Sequence, residues 1–200
     1  MKNLLSIATF VVLFATQAVA APVNGKTAKK LLFSPKGSVF SVVSQNSMSK
    51  ADLATLDVMA GMKEFKAILY YGAIAMAPKH GLAHKATIAA ANHHSLAAAG
   101  AQALKECNAL RSKGPDCIVV AYITPRKYVE RPLTMSASAT TAFRRTYRKG
   151  RGAKAMAISP ATGEYAIAKG AGSAGIALEA CAKAAGEKGA SDCQIVIQDN

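Results

Sequence analysis

The stretch Ala73-Ile74-Ala75-Met76-Ala77-Pro78-Lys79-His80-Gly81 returns later in the chain as Ala155-Met156-Ala157-Ile158-Ser159-Pro160-Ala161-Thr162-Gly163. Both copies fit the pattern A-[IM]-A-[MI]-[AS]-P-x-x-G. Proline fixes φ and glycine accepts a positive φ, so an apolar run that stops at Pro and resumes after Gly predicts a strand, a turn and a second strand. The two copies therefore predict two similar strand-turn-strand units.

Each copy is followed by an alanine-rich segment, a cysteine, a polar turn and the sequence Asp-Cys-x-[IV]-Val. Apolar residues recur at helical spacing after Ser95 and after Ser173, which predicts one helix with an apolar face in each unit. The two predicted faces are Leu96, Ala103, Leu104, Cys107 and Leu110, and Ile176, Ala180, Cys181 and Ala184.

Four cysteines can form disulfides in three different pairings. Their spacing favours Cys107 with Cys117 and Cys181 with Cys193, because each pair occupies the same place in its unit. Each bond would tie the end of a helix to the start of the next strand. Closing so short a loop contributes about 3 kcal/mol by restricting the unfolded chain.

Two weaker units are marked by Pro35 and Pro125. Together with a signal peptide and the two cysteine-bearing units, they make five predicted parts of the chain. A helix signal opens at Ser49, with Asp52 at the capping-box position, and another helix is predicted over about residues 136–149. We predict a signal peptide at 1–20, a degenerate ββα unit at 21–66, a cysteine-bearing unit at 67–124, a degenerate βα unit at 125–151 and a second cysteine-bearing unit at 152–200. The predicted class is α+β: repeated ββα units forming one or two antiparallel sheets, with Ala-rich helices packed on one face and disulfides stapling the units.

The first twenty residues have the three parts of a secretory signal peptide. Lys2 gives the positive region, residues 4–15 are apolar, and Ala18-Val19-Ala20 forms a small-x-small cleavage site. A membrane anchor is the alternative, but the apolar run is shorter than the ~20 residues that a spanning helix needs. We expect a periplasmic or secreted protein that starts at Ala21, with no transmembrane segment after cleavage and with oxidised cysteines.

The composition is strongly basic and poor in large rings. Lysine and arginine number 25 against 11 acidic residues, for a formal net charge of +14, and tryptophan is absent. The charge makes anionic partners plausible, such as lipid headgroups, cell-wall polymers or nucleic acid. Solubility alone is the alternative explanation. With aromatics at 6%, we expect a core of small side chains rather than of large rings.

The motifs of the two cysteine-bearing units resemble those of a family of exported bacterial domains known as domain of unknown function 4189. Tyr71-Gly72-Ala73-Ile74-Ala75 resembles the opening of that domain, and Asp116-Cys117 and Asp192-Cys193 resemble its close. The resemblance covers residues 70–123 and 152–198, although the chain lacks the family's usual tryptophan and its glycine-rich, aromatic second strand. It implies an exported α+β domain and no particular activity.

Residues 143–154, FRRTYRKGRGAK, carry the densest positive charge of the chain. On a helix, Phe143 and Tyr147 would share one face, while Arg144, Arg148 and Arg151 would share another. Arginine binds phosphate and carboxylate groups with two parallel hydrogen bonds. A solvated helix face is the alternative interpretation. The predicted anion-binding residues are Arg144, Arg145, Arg148, Lys149, Arg151 and Lys154.

The glycine-rich run Gly170-Ala171-Gly172-Ser173-Ala174-Gly175 fits the dinucleotide-binding pattern G-x-G-x-x-G, and Asp199 follows the next strand. The equivalent junction of the other unit, Asn92-His93-His94-Ser95, has no glycine, and an exported protein rarely meets NAD. We therefore predict no NAD binding, and we expect these glycines to serve close packing of the helix on the sheet.

The histidines are His80, His84, His93 and His94, and imidazoles are common metal ligands. We expect His80 in a turn, His84 on a strand and His93-His94 at a helix start. No carboxylate or free thiol lies near them in sequence, so we predict surface histidines and no metal site.

No sequence pattern indicates a catalytic residue or a cofactor. The chain has no G-x-S-x-G elbow, and oxidised cysteines cannot act as thiolates. It is too short for a pyridoxal-phosphate enzyme such as aminolevulinate synthase. The favoured hypothesis is a non-enzymatic binding or interaction module whose basic surface meets an anionic envelope component or a protein partner. The alternatives are an envelope hydrolase or transferase with an unrecognised site near His84, His93 or His94, and a structural protein that docks by a strand edge.

Overall fold

A computed structural model describes residues 21–200. The predicted signal peptide at 1–20 lies outside the described residues. The described part is an α+β fold with two antiparallel sheets, as predicted. Its helices are α1 (Gly25–Leu31), α2 (Lys50–Gly61), α3 (Lys63–Lys66), α4 (Leu96–Leu110), α5 (Ala137–Ala142) and α6 (Ser173–Gly186), and a π-helical turn (Phe143–Tyr147) continues α5.

The strands are divided between a four-stranded and a three-stranded sheet. They are β1 (Ser38–Val42), β2 (Gly72–Met76), β3 (Ile88–Ala90), β4 (Ile118–Pro125), β5 (Lys154–Ile158), β6 (Tyr165–Lys169) and β7 (Gln194–Asp199). The first sheet has the order β1-β4-β2-β3 and the second the order β6-β5-β7, with every pairing antiparallel. The repeated motifs form β2 and β5, and each of these strands pairs on both of its edges.

Alternation along β2 explains how helices cover both faces of the first sheet. Side chains of a strand point to opposite faces in turn, so Ala73 and Ala75 lie on the face covered by α4. Ile74 and Met76 lie on the other face, where they pack with Leu56 of α2. Alanine on one face lets a helix approach closely, while the larger residues fill the other face.

The second sheet repeats this arrangement through β5. Ala155 and Ala157 pack against the small residues of α6, whereas Met156 and Ile158 belong to the cluster formed with α1, α5 and the π-helical turn. The Ala-rich helices α4 and α6 thus lie on one face of each sheet, as predicted. The opposite face of each sheet is covered by other helices, which the sequence did not indicate.

The turns after β2 and β5 have the same hydrogen bonds. Gly81 N donates to Ala77 O over 3.2 Å, and Gly163 N donates to Ser159 O over 3.1 Å. Both glycines have positive φ, as the motif predicts. The two units differ beyond this turn, because β6 begins two residues after Gly163 while β3 begins only at Ile88.

Two disulfides join Cys107 to Cys117 and Cys181 to Cys193, the pairing that the spacing favours. Cys107 and Cys181 are buried within α4 and α6. Their partners stand directly before β4 and β7. Each bond therefore fixes a covering helix to a strand of the sheet beneath it.

The regions around the cysteine-bearing units differ from the expected pattern. Residues 21–66 contain α1, β1, α2 and α3, so one strand stands where two are expected. The reason is a helix at 25–31, which Asn24 caps by accepting from Thr27 N over 2.8 Å. The predicted βα unit at 125–151 has no strand of its own, because β4 ends at Pro125 and α5 is the next element. The capping box of Ser49 and Asp52 is present at the start of α2, as predicted.

The buried face of α6 is shifted from the predicted one. Ile176 is 53% exposed and Ala180 is exposed. Small residues meet the alanine face of the second sheet instead, because they let the helix lie close to the strands. The buried residues of α6 are Ser173, Ala177, Cys181 and Ala185.

Large rings contribute to the core, contrary to the expectation of small side chains alone. Tyr70, Tyr71, Phe143 and Tyr147 are among the largest fully buried side chains. They lie away from the alanine faces, in an aromatic cluster with Phe33 and in the cluster beneath α1.

Within residues 21–200, no helix combines the length and apolar character that membrane crossing requires.

Candidate functional site

Four cationic side chains surround a cavity of about 270 Å³ that we call the basic pocket. Lys26 and Lys29 come from α1, Arg148 follows the π-helical turn, and Lys154 begins β5. The remaining lining residues are Gly25, Tyr147 and Asp199. The pocket therefore joins a segment near residue 25 to one near residue 150.

Helix α1 is held in place by β7. Val23 forms a parallel bridge with Ile197, in which Val23 N donates to Val196 O over 3.1 Å and Gln198 N donates to Val23 O over 2.9 Å. Gly25 N then donates to the Asp199 carboxylate over 2.9 Å. This bridge fixes the start of α1 against the edge of the second sheet.

Arg148 reaches the basic pocket because the π-helical turn before it is anchored by two buried aromatic rings. Phe143 and Tyr147 are buried on one face, as predicted, and their ring centroids are 5.4 Å apart. The Tyr147 hydroxyl donates to Lys154 O over 3.2 Å, which joins the turn to β5. Arg148, the next residue, is exposed.

The electrostatics of the basic pocket favour an anion. Asp199 is the one acidic lining residue, and its carboxylate lies 3.8 Å from Lys154 Nζ. Four cationic side chains less one carboxylate leave three unmatched positive charges. Burial, with the Asp199 charge beside it, raises the pKa of the Tyr147 hydroxyl, so this group stays protonated.

The structure separates the six predicted anion-binding residues. Arg148 and Lys154 enter the basic pocket, while Arg145 lines another cavity, beside Thr141. Arg144 donates to Phe33 O over 3.2 Å, near the end of α1.

The predicted cationic stripe does not form. The helix ends before Gly150, which has a φ of 92°, so the prediction that Arg151 shares a helix face with Arg144 and Arg148 is wrong. Lys149 is exposed, and its carbonyl accepts from Lys169 Nζ over 2.8 Å.

Sequence reasoning missed Lys26 and Lys29. They lie about 120 positions from Arg148, and nothing near them in sequence connects them to it. A run of three lysines within five residues of α1 is the one local signal.

Two of the four histidines are buried, so the prediction of surface histidines is wrong for His93 and His94. His94 Nδ1 accepts from Ser136 N over 3.1 Å, and Nε2 lies 3.0 Å from Glu164 O, to which it donates. Both ring nitrogens are therefore used by a neutral imidazole. Burial lowers the pKa of His94 to about 4.

His80 and His84 lie together in the loop after β2, with ring centroids 4.3 Å apart. His84 is in a turn rather than on a strand, and its Nδ1 accepts from Ala86 N over 3.2 Å. The Ser112 hydroxyl lies 2.6 Å from His80 Nε2. No group of three or more His, Cys, Asp or Glu side chains in residues 21–200 is placed to hold a metal ion.

The glycines of the dinucleotide-like motif do not bring the helix close to the sheet. A Cβ at Gly170, Gly172 or Gly175 would have no atom within 4 Å outside its neighbours. Gly170 and Gly172 have φ values of 91° and 71°, so they serve the left-handed turn before α6. Asp199 caps α1 through Gly25 instead of standing free for a ribose.

No model of a known protein family, no curated protein and no solved structure matches this chain. The resemblance of residues 70–123 and 152–198 to domain of unknown function 4189 thus rests on their sequence motifs. It stays a prediction.

Proposed function

We propose that the protein is an exported binding module whose basic pocket docks onto an anionic component of the cell envelope. The observation that carries the proposal is the convergence of Lys26, Lys29, Arg148 and Lys154 on one cavity. Like charges brought together repel one another, and a bound phosphate or carboxylate group would relieve that repulsion. The two disulfides suit an oxidising compartment, which supports a periplasmic or secreted location.

Binding explains the basic pocket better than catalysis does. Its cationic side chains supply charge and hydrogen-bond donors, which position an anion. The Tyr147 hydroxyl already donates to Lys154 O, and its raised pKa makes it a poor base. The Asp199 carboxylate accepts from Gly25 N. The two uncharged or acidic side chains of the pocket wall, Tyr147 and Asp199, are therefore occupied in holding the fold.

We infer further that the two cysteine-bearing units are copies of one ancestral unit. Both have two strands, a helix and a strand, a turn with the same hydrogen bonds, and a disulfide between helix and strand. The pairing of the middle strand shifts register at the same motif position in both units, after Ile74 and after Met156, where β4 and β7 each carry one extra residue. Of the two cysteine-bearing units, the second alone contributes to the basic pocket, which supports a specialised role for that unit.

Binding to anionic vesicles tests the proposal. Each cation near an anionic membrane surface contributes about 1 kcal/mol, so Lys26→Gln combined with Arg148→Gln should weaken binding about thirtyfold. Sedimentation with phosphatidylglycerol vesicles at low salt measures the affinity. Phosphatidylcholine vesicles give the background, and raised salt should weaken wild-type binding because counterions screen the attraction.

A second double variant separates the pocket from net charge. Lys63→Gln combined with Lys105→Gln removes the same charge from exposed positions outside the pocket, and it should lose much less affinity. Equal losses in the two double variants would show that only net charge matters. Wild-type affinity that does not change with salt would refute electrostatic docking altogether.

A further inference from the structure

A second cavity, of about 390 Å³, lies where the two cysteine-bearing units meet, and we call it the junction cavity. The chain after β3 contributes Ala91 and His93, and α4 contributes Gln102 and Glu106. The turn after β5 contributes Thr162, and Lys188 lies just beyond α6. Both cysteine-bearing units therefore form its wall.

His93 brings a buried ring nitrogen without a hydrogen-bond partner to this wall. Its side chain lines the cavity although the residue is only 7% exposed. Burial, aided by the charge of Lys188, lowers the pKa of His93, so the imidazole is neutral at neutral pH. A neutral imidazole keeps one nitrogen as an acceptor. His93 Nδ1 is buried and has no hydrogen-bond partner anywhere in residues 21–200.

The junction cavity lacks the excess of positive charge found in the basic pocket, because its wall holds one carboxylate and one ammonium. Glu106 accepts from Gln102 Nε2 over 2.5 Å and forms no ion pair within the described residues. Lys188 is the one cation of the wall, and its ammonium pairs with Glu164. One carboxylate thus remains uncompensated in a chain with a formal net charge of +14.

Thr162 offers no free hydroxyl for nucleophilic attack. Its hydroxyl donates to Ser159 Oγ over 2.8 Å and accepts from Glu164 N over 3.2 Å. The acceptors of the wall that lack a cationic or hydrogen-bonding partner are the Glu106 carboxylate, which has no ion pair within the described residues, and His93 Nδ1. Acceptors that lack a donor match a ligand that carries several N–H groups.

We propose that the junction cavity binds a small molecule with a primary ammonium group, which the Glu106 carboxylate holds while the His93 imidazole accepts a hydrogen bond from the same molecule. The site is independent of the basic pocket, which selects the opposite charge. The alanines at positions 90, 91 and 161 give the cavity an apolar wall that suits a short hydrocarbon portion.

Titration with two probes of similar size and opposite charge tests this site. Ethylammonium chloride and sodium acetate are added separately at constant ionic strength, and the His93 ring and Glu106 amide resonances are followed by NMR. Ethylammonium should shift both in a saturable way, and acetate should not. Glu106→Gln should weaken the ethylammonium response about fivefold, because it keeps the shape of the side chain and removes its charge.

Glu187→Gln is the matched control, since Glu187 is exposed near the end of α6 and does not line the cavity. It should respond as the wild type does. A response to acetate as large as that to ethylammonium would overturn the ammonium preference. Equal affinity of wild type and Glu106→Gln would overturn the site. Vesicle binding is measured separately, so neither result bears on the basic pocket.

Discussion

The absence of a side chain at Gly163 lets the turn after β5 lie against the chain that follows β3. A Cβ on Gly163 would lie 2.6 Å from Asn92 O and 3.4 Å from His93 Cα. The glycine also has a φ of 81°, which other residues adopt at a cost. Gly163 is thus required both by its turn and by the neighbouring backbone.

Gly163→Ala should destabilise the protein by about 2 kcal/mol or more, because the backbone cost and the steric clash act together. Gly170→Ala provides the comparison, since Gly170 has a φ of 91° but open space around it. Gly170→Ala should lower the free energy of unfolding by about 1 kcal/mol, which is the cost of the backbone conformation alone. Chemical denaturation measures both, and equal losses would show that the contact with Asn92 is unimportant.

His94 makes stability depend on pH. Its folded pKa of about 4 lies below the ordinary value of 6.5, so the unfolded chain binds a proton more readily. The stability that neutral His94 contributes is complete above about pH 7 and is lost as the pH falls through 6.5 toward 4. Between about pH 7.5 and about pH 5, the wild type should lose about 2 kcal/mol from this group.

His94→Gln removes this titration and serves as the comparison. The variant should be less stable than the wild type at neutral pH, because the bonds to Ser136 and Glu164 are disturbed. Its stability should fall less between about pH 7.5 and about pH 5, which urea denaturation at each pH measures. An unchanged pH dependence in the variant would rule out His94 as the responsible group.

At the scale of elements, each disulfide secures a helix whose own contacts with the sheet are made by small side chains. The buried residues of α4 and α6 are alanine, glycine, serine and cysteine. Small side chains bury little apolar area, so a covalent bond from the C-terminal half of each helix compensates for weak attraction. This explains why both alanine-faced helices, α4 and α6, carry a cysteine.

Removal of either disulfide should cost about 2 to 4 kcal/mol. Cys107→Ala with Cys117→Ala, and Cys181→Ala with Cys193→Ala, should each lower the thermal midpoint, and a thiol reductant should lower that of the wild type. A variant with all four cysteines replaced should not respond to reductant. If reductant leaves the wild type unchanged, the disulfides are either inaccessible or unimportant, and the double variants distinguish these cases.

At the scale of the whole molecule, buried polar contacts join the two sheets. His94 bonds Glu164 in the turn between β5 and β6. Ser136 N donates to His94 Nδ1, and Ala137 N donates to Tyr70 O over 3.0 Å. Helix α5 therefore holds the chain before β2 and the chain before α4. Because these bonds are buried or partly buried, separating the two sheets would leave polar groups unpaired.

We expect the two sheets to unfold together. Calorimetry should give one transition, with a van't Hoff enthalpy close to the calorimetric one. His94→Gln should move that transition to lower temperature without splitting it. Two separate transitions in the wild type would mean that the contacts around His94 and Gly163 do not couple the sheets.

The sequence alone determined the local features: the strands β2 and β5 with the turns that follow them, the disulfide pairing, the capping box at Ser49 and the start of α4 after Ser95. These depend on residues close together in the chain, where periodicity and the special φ of proline and glycine leave few choices. Tertiary structure alone decided the burial of His93 and His94, the covering of the second face of each sheet, and the meeting of Lys26 and Lys29 with Arg148. These depend on which distant segments pack together, and that choice is made by the complementary shapes and buried hydrogen bonds of the whole fold.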